Sequence, residues 1–204
     1  MTEPNGHDKA SEGASRDDDD AGTPPPPAVA ELAEACVGYA ERAVGVRLDY
    51  EPETLPILDF YAEAAAAEIG DRPAAVPILV RAVGAYIGEV LRRRHNAWWH
   101  AEGDDPTSWE LRFGDVYLVV NPFAFAYAAL AGDATDEFDE GITIDEAERE
   151  DVAAYLASLP PVHADDYRRP STRVEAVDTI ATLLSARAQA QGLGESRFVD
   201  EDYD

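Results

Sequence analysis

Glu89 interrupts the apolar stretch Val-Gly-Ala-Tyr-Ile-Gly-Glu-Val-Leu at 83–91, with Tyr86 one turn before it and Arg92 and Arg93 one turn after. A carboxylate carried toward a core must be paired or have its pKa shifted, and shifted carboxylates mark many active sites. The structural reading is an ion pair, or an acceptor for a backbone or indole N–H of the segment that follows. The functional reading is a ligand site in which Tyr86, Glu89, Arg92 and Arg93 converge with Trp98 and Trp109. Arg92, Arg93 and Arg94 are the only concentrated positive charge. Cations there complement the dipole of a helix C-terminus, and they also suit an acidic partner or a phosphate.

Other constellations carry less. His95 and His100 flank Trp98 and Trp99, with Asp104 and Asp105 following. Those residue types suit zinc, but five-residue spacing across a helix-to-strand junction is not a ligand pattern. Around Gly141 an EF-hand register puts Phe138 at the third position and Ala147 at the twelfth, where a bidentate glutamate is required. There is no Gly-x-Ser-x-Gly and no phosphate-cradling glycine loop. His163 has Asp165 and Asp166 nearby, but on a proline-bounded connector. No catalytic residue, metal or cofactor is expected.

The charge balance narrows the partners. The formal net charge is −26, and residues 28–194 alone carry thirty acids against thirteen bases. That field repels nucleic-acid phosphates and anionic membranes, so direct binding to either is disfavoured and another protein is the expected partner. Lys9 is the only lysine beside fifteen arginines, which fits a solubilising surface in a GC-rich genome. The N-terminus lacks an apolar leader, and the uninterrupted apolar runs near 116–120 and 122–131 are too short to span a membrane. Cys36 is the single cysteine, so no disulfide framework forms within one chain, and the cytoplasm is the expected compartment.

The positioning elements are mostly helical. Residues 1–27 combine Gly, Ser, Asp and a Pro24–Pro27 run, and they are expected to be disordered with a short polyproline II stretch. A helix over 28–44 places Val29, Leu32, Cys36, Tyr39 and Ala43 on one stripe and stops at Gly45. A second over 54–69 buries Leu55, Leu58, Tyr61, Ala62 and Ala65. A third, 73–94, is the most apolar. Its Gly84 and Gly88 each cost about 1 kcal/mol against alanine, which close approach of another backbone would offset.

Short strands follow at 97–100, 109–113 and 116–120, with Gly114-Asp115 as a two-residue turn and Trp109, Leu111 and Phe113 alternating inward. Asn121-Pro122 opens a fourth helix as N-cap and first residue. Residues 133–141 form an acidic loop. Capping boxes at Thr143/Glu146 and Thr172/Glu175 open two further helices, to about 159 and 192. Residues 195–204 read as an acidic tail in which Phe198 and Tyr203 offer a docking peptide, a frayed end being the commoner outcome.

The run AYIGEVLRRR, a tryptophan-bearing strand pair and then NPF resemble a widespread, uncharacterised bacterial domain over roughly 48–130. That domain carries a Tyr-x-Gly-Glu-Val-hydrophobic-Arg-Arg helix, a hairpin and a following helix. The resemblance implies an α+β fold in a cytosolic setting and brings no activity; residues 142–192 lie outside it.

The fold expected is therefore α+β and predominantly helical, about six helices around a small antiparallel sheet of two or three strands, in one globular domain over 28–194. Three functions stay open. One is a non-catalytic protein-interaction or regulatory module using the acidic surface, the aromatic hairpin or the tails. The second is a small-molecule binder or enzyme near Glu89 and the tryptophan hairpin, and the third is an acidic polyanion mimic. A binder predicts a concave pocket converging on Glu89; an interaction module predicts an exposed apolar patch.

Overall fold

A computed structural model describes residues 23–69, 72–131, 141–194 and 197–203. The disorder expected for 1–27 and the acidic loop at 133–141 fall largely outside them.

The most apolar segment is the central element. Helix α3 (Val76–Arg94), led in by a 3-10 turn at Pro73–Ala75, buries every residue from Ala82 to Leu91. The stretch Pro73–Arg94 is by length and composition apolar enough to cross a membrane, with a mean hydropathy of 1.6 over its most apolar 18 residues, yet 61% of those 18 are buried inside the fold. Helices α1 (Pro27–Val44) and α4 (Pro122–Ala131) pack on it. The close approach expected from its glycines is present. A Cβ at Gly84 would lie 2.8 Å from the backbone Cα of Phe123, and one at Gly88 would run into the Trp99 indole.

The stripe of α1 is rotated from the expected one. Val29, Ala33, Cys36, Val37 and Ala40 are buried, Leu32 and Tyr39 are half-buried and Ala43 is exposed. Helix α2 (Leu55–Ile69) buries Leu55, Leu58, Tyr61 and Ala62 as expected, while Ala65 is half-buried.

The sheet has four antiparallel strands in the order β1 (Ala97–His100), β2 (Glu110–Phe113), β3 (Leu118–Val120) and β4 (Ile142–Ile144). Trp99, Leu111, Val120 and Ile142 form a row on the inner face, toward the core. Trp98, Arg112, Val119 and Thr143 form the outer row. Gly114 to Tyr117 make a four-residue connection, not a two-residue turn. Gly114 serves close approach there, since a Cβ would meet the Asn96 carboxamide at 2.6 Å.

Two expected capping boxes are not used. Thr143 lies in β4, and Asp145 caps the next 3-10 turn by accepting from the Ala147 N–H, before α5 (Arg149–Ser158). After a short α6 (Ala164–Tyr167), helix α7 (Pro170–Ala190) starts at proline, and Asp59 of α2 caps it by accepting from the Ser171 N–H at 2.9 Å. Its Val174, Val177, Ile180 and Leu184 face the core. The described residues thus hold seven helices and one four-stranded sheet, a predominantly helical α+β fold. The C-terminal end is not frayed: residues 198–203 lie on the outer face of the sheet.

Candidate functional site

Of the six residues singled out by type and spacing, Glu89, Arg92 and Arg93 are brought together, while Tyr86, Trp98 and Trp109 lie apart from them. Glu89, 2% exposed, sits where α3 passes β1. Its Oε1 accepts from Arg92 Nε at 2.8 Å and from Trp99 Nε1 at 2.9 Å, and its Oε2 accepts from Arg92 Nη2 at 3.0 Å. The Arg93 Nε lies 3.7 Å from Oε2. Arg92 also donates to the Thr23 carbonyl at 3.0 Å, tying the chain ahead of α1 to the end of α3. A carboxylate engaged on both oxygens by a guanidinium and an indole is a fastener between helix and sheet.

Tyr86 faces elsewhere. Its hydroxyl accepts from the Tyr50 N–H at 2.9 Å and lies 3.4 Å from Thr54 Oγ1, and burial pushes its pKa up. Tyr50 stacks on Tyr86 at 4.8 Å between ring centroids, with the Arg93 guanidinium 3.8 Å from the Tyr50 centroid. Tyr50 is a non-glycine residue at φ +68°, a conformation that costs about 1 kcal/mol or more. The hydrogen bond, the stack and the cation hold it there. Trp109 is buried, and its indole donates to the Gly103 carbonyl at 3.3 Å.

Trp98 belongs to a different arrangement, on the outer face. Its Nε1 donates to Asp200 Oδ1 at 3.1 Å. Arg112, across the ladder from Trp98, donates through Nη1 to the same oxygen at 2.8 Å and to the Asp200 carbonyl at 3.2 Å, while its Nε donates to Glu110 at 3.0 Å. The Trp98 indole is the main influence holding the Asp200 carboxyl below its ordinary range; partial burial opposes it and Arg112 adds to it. The Tyr203 hydroxyl donates its one proton to the Phe113 carbonyl at 2.5 Å, with the Val116 carbonyl 3.1 Å away, and accepts from the Leu118 N–H at 3.4 Å, with its ring stacked on Tyr117 at 4.7 Å. The Phe198 N–H donates to the Gly114 carbonyl at 2.8 Å.

The inward alternation of Trp109, Leu111 and Phe113 puts Arg112 on the solvent side of its strand. It is 5% exposed, because the C-terminal segment covers it. The only advance signal was the pair of aromatics in an otherwise acidic tail.

The two histidines are not brought together. His95 pairs with Asp178 at 2.7 Å on α7, and His100 lies 3.6 Å from Asp200. Burial alone would push Asp178 up; hydrogen bonds from His95 and Arg94 outweigh it and hold that carboxyl below its usual range. No group of three or more His, Cys, Asp or Glu is placed to hold a metal among the described residues. Cys36 is buried, and desolvation pushes its thiol far above the usual cysteine value, so it stays protonated in place. Clefts of about 600 and 530 Å³ are lined around Ser185, Gln189 and Arg197, and around Asp59, Glu63 and Arg168; neither touches any of the six.

Apolar side chains are exposed together along one stretch. Val152 is buried and Leu156 half-buried against the core, while the rest of α5 beyond Val152 and its connector to α6 are exposed. Tyr155, Leu159 and Val162 are 42, 38 and 56% exposed, with Pro160 and Pro161 exposed between them. Tyr155 lies on the last turn of α5, and Leu159 follows the helix in extended backbone.

Comparison of the chain with protein-family models, with curated proteins and with solved structures finds no match.

Proposed function

We propose that the protein is a non-catalytic protein-interaction module and that residues 155–162 are its contact surface. The observation that carries this reading is the run of exposed apolar side chains from Tyr155 to Val162. Soluble chains rarely display contiguous large apolar groups unless something covers them. Two prolines after α5 hold the stretch extended, so little freedom is lost when a partner binds. The flanks are of mixed charge, since Asp151, Asp165 and Asp166 pair with Arg187, Arg168 and Arg169. The matching partner surface is an apolar depression with a polar border. Glu89, with both carboxylate oxygens engaged internally, is a structural fastener in this reading. The cytoplasmic setting belongs to the same proposal, supported by the free, buried Cys36.

The test is a photocrosslinking amino acid placed at Tyr155 in the full-length chain in its native host. A discrete protein adduct is expected, and Leu159→Asp with Val162→Asp should abolish it. Surface changes of this kind shift stability by only about 0.5 kcal/mol, so the melting temperature should hold. Absence of any discrete adduct would overturn the reading. So would a small molecule that stabilises the protein and loses its effect in a folded Glu89→Gln variant.

A further inference from the structure

The outer face of the sheet carries a second inference, independent of residues 155–162. Every residue from 197 to 203 is exposed or only half-buried, so this segment lies on a finished fold and adds nothing to its core. The groups beneath it are nevertheless specific. One carboxylate oxygen, Asp200 Oδ1, is met by the Arg112 guanidinium and the Trp98 indole, with His100 Nδ1 at 3.6 Å. One phenol hydroxyl, that of Tyr203, is met by two backbone carbonyls and one backbone N–H. One backbone N–H, that of Phe198, is met by the Gly114 carbonyl, and the Phe198 ring stands edge-on to Tyr117 at 5.9 Å. Within the segment, the Asp202 carboxylate accepts from the Val199 N–H and the Asp202 N–H donates to the Val199 carbonyl, closing the turn that swings Tyr203 over Tyr117.

The face is also built to stand without its occupant. Arg112 keeps its hydrogen bond to Glu110 when Asp200 leaves, so no buried guanidinium is stranded. Asp200 is exposed and Tyr203 half-buried, so water can take the place of the carboxylate and the hydroxyl.

We propose that this face is a peptide-reading site with the chain's own C-terminal segment as its resident. A partner protein presenting the same pattern, Phe-x-Asp-x-Asp-Tyr, displaces that resident. The carboxylate is read by Arg112 and Trp98, the hydroxyl by the Phe113, Val116 and Leu118 backbone, and the aromatic side chain by Tyr117. A tethered resident competes at an effective concentration of about millimolar. A short free peptide therefore binds the wild-type chain weakly, and a displacing partner needs further contacts of its own.

The experiment uses the full-length chain and a labelled synthetic peptide, Arg-Phe-Val-Asp-Glu-Asp-Tyr-Asp, followed by fluorescence anisotropy. In the double variant Asp200→Ala, Tyr203→Ala the resident is unseated, and the peptide should bind at least tenfold more tightly than it binds wild type. Replacing the peptide's tyrosine by alanine should abolish the gain. No binding to the folded double variant, or equal binding of the alanine peptide, overturns the proposal. A double variant that fails to fold overturns it too, because the segment would then be an integral part of the fold. A second measurement needs no variant: in wild type the Phe198 and Leu118 amides should exchange hydrogen faster than the amides paired between Leu111 and Val120. Exchange of all of them only by global unfolding would equally refute it.

Discussion

Glu89 and Asp200 each hold an arginine and a tryptophan indole in two very different places, Glu89 with both carboxylate oxygens and Asp200 with Oδ1 alone. Each carboxylate accepts from one arginine and from one tryptophan indole, and the two tryptophans, Trp99 and Trp98, are neighbours pointing to opposite faces of β1. The inner unit is closed, with the Glu89 side chain 2% exposed and its arginine three residues away on the same helix. The outer unit joins residues 88 apart in the chain, and its aspartate side chain is 54% exposed. The same two donor types thus give a permanent fastener on one side of the sheet and a detachable one on the other. Burial and tethering decide which, because a charge pair in the interior cannot be replaced by water and one at the surface can.

The largest test of this contrast is Glu89→Ala. It leaves Arg92 with only the Thr23 carbonyl and the Trp99 N–H without its acceptor, and loss of one partner of a buried pair costs about 3–5 kcal/mol. Chemical denaturation should show that loss with an unchanged slope. A loss below about 1 kcal/mol, the range of exposed pairs, would place Glu89 in the same class as Asp200 and dissolve the comparison.

How far this contrast could be read in advance depended on distance along the chain. Glu89 was legible because a carboxylate in an apolar helical run is anomalous within nine residues. So were the glycines of α3 and the Asn121 cap, whose Oδ1 accepts from the Phe123 and Ala124 N–H groups. The outer unit had no local signature. Arg112 looked like the solvent side of an alternating strand, and Asp200 like one more acid in a tail. The fourth strand is three residues long, and its Thr143 mimics a helix cap by sequence. The true cap of α7 comes from Asp59, 112 residues earlier. Partners supplied from far along the chain leave no pattern at either end.

An intermediate effect comes from the residue that lets the inner unit close. Gly88 admits the Trp99 indole, and a Cβ there would also meet Pro122 Cγ at 3.0 Å. Gly88→Ala gains about 1 kcal/mol of helix propensity. Displacing a packed indole costs typically about 1–3 kcal/mol. The ring is rigid and tied to Glu89, so the packing loss should win, and thermal melting should show net destabilisation. Gly84→Ala should behave likewise, since the obstacle there is the backbone of α4. Stabilisation by both alanines would show that the sheet and α4 can retreat from α3, leaving Glu89 no closed site to fasten.

The smallest effect is the most specific to the outer unit, and it is a pH dependence. Asp200 is bound as the carboxylate, and the Trp98 indole, with Arg112, holds its pKa below the ordinary aspartate value of 3.8. A depressed folded-state pKa contributes stability that is complete above the unfolded value and fades as pH falls through the lowered one. Docking of residues 198–203 should therefore be intact above pH 3.8 and weaken below it. The carboxylate is more than half exposed, so the contribution is well under 1 kcal/mol and screened by salt. Other acids titrate in the same range, Asp178 among them. The informative quantity is then the difference between wild type and Asp200→Asn, read from the Phe198 amide resonance. The asparagine keeps an oxygen for the indole but turns no charge toward Arg112, so its docking should be weaker and less dependent on pH. Loss of docking over the same acid range in both proteins would mean that the carboxylate does not hold the segment. The likeness between Asp200 and Glu89 would then be geometric only.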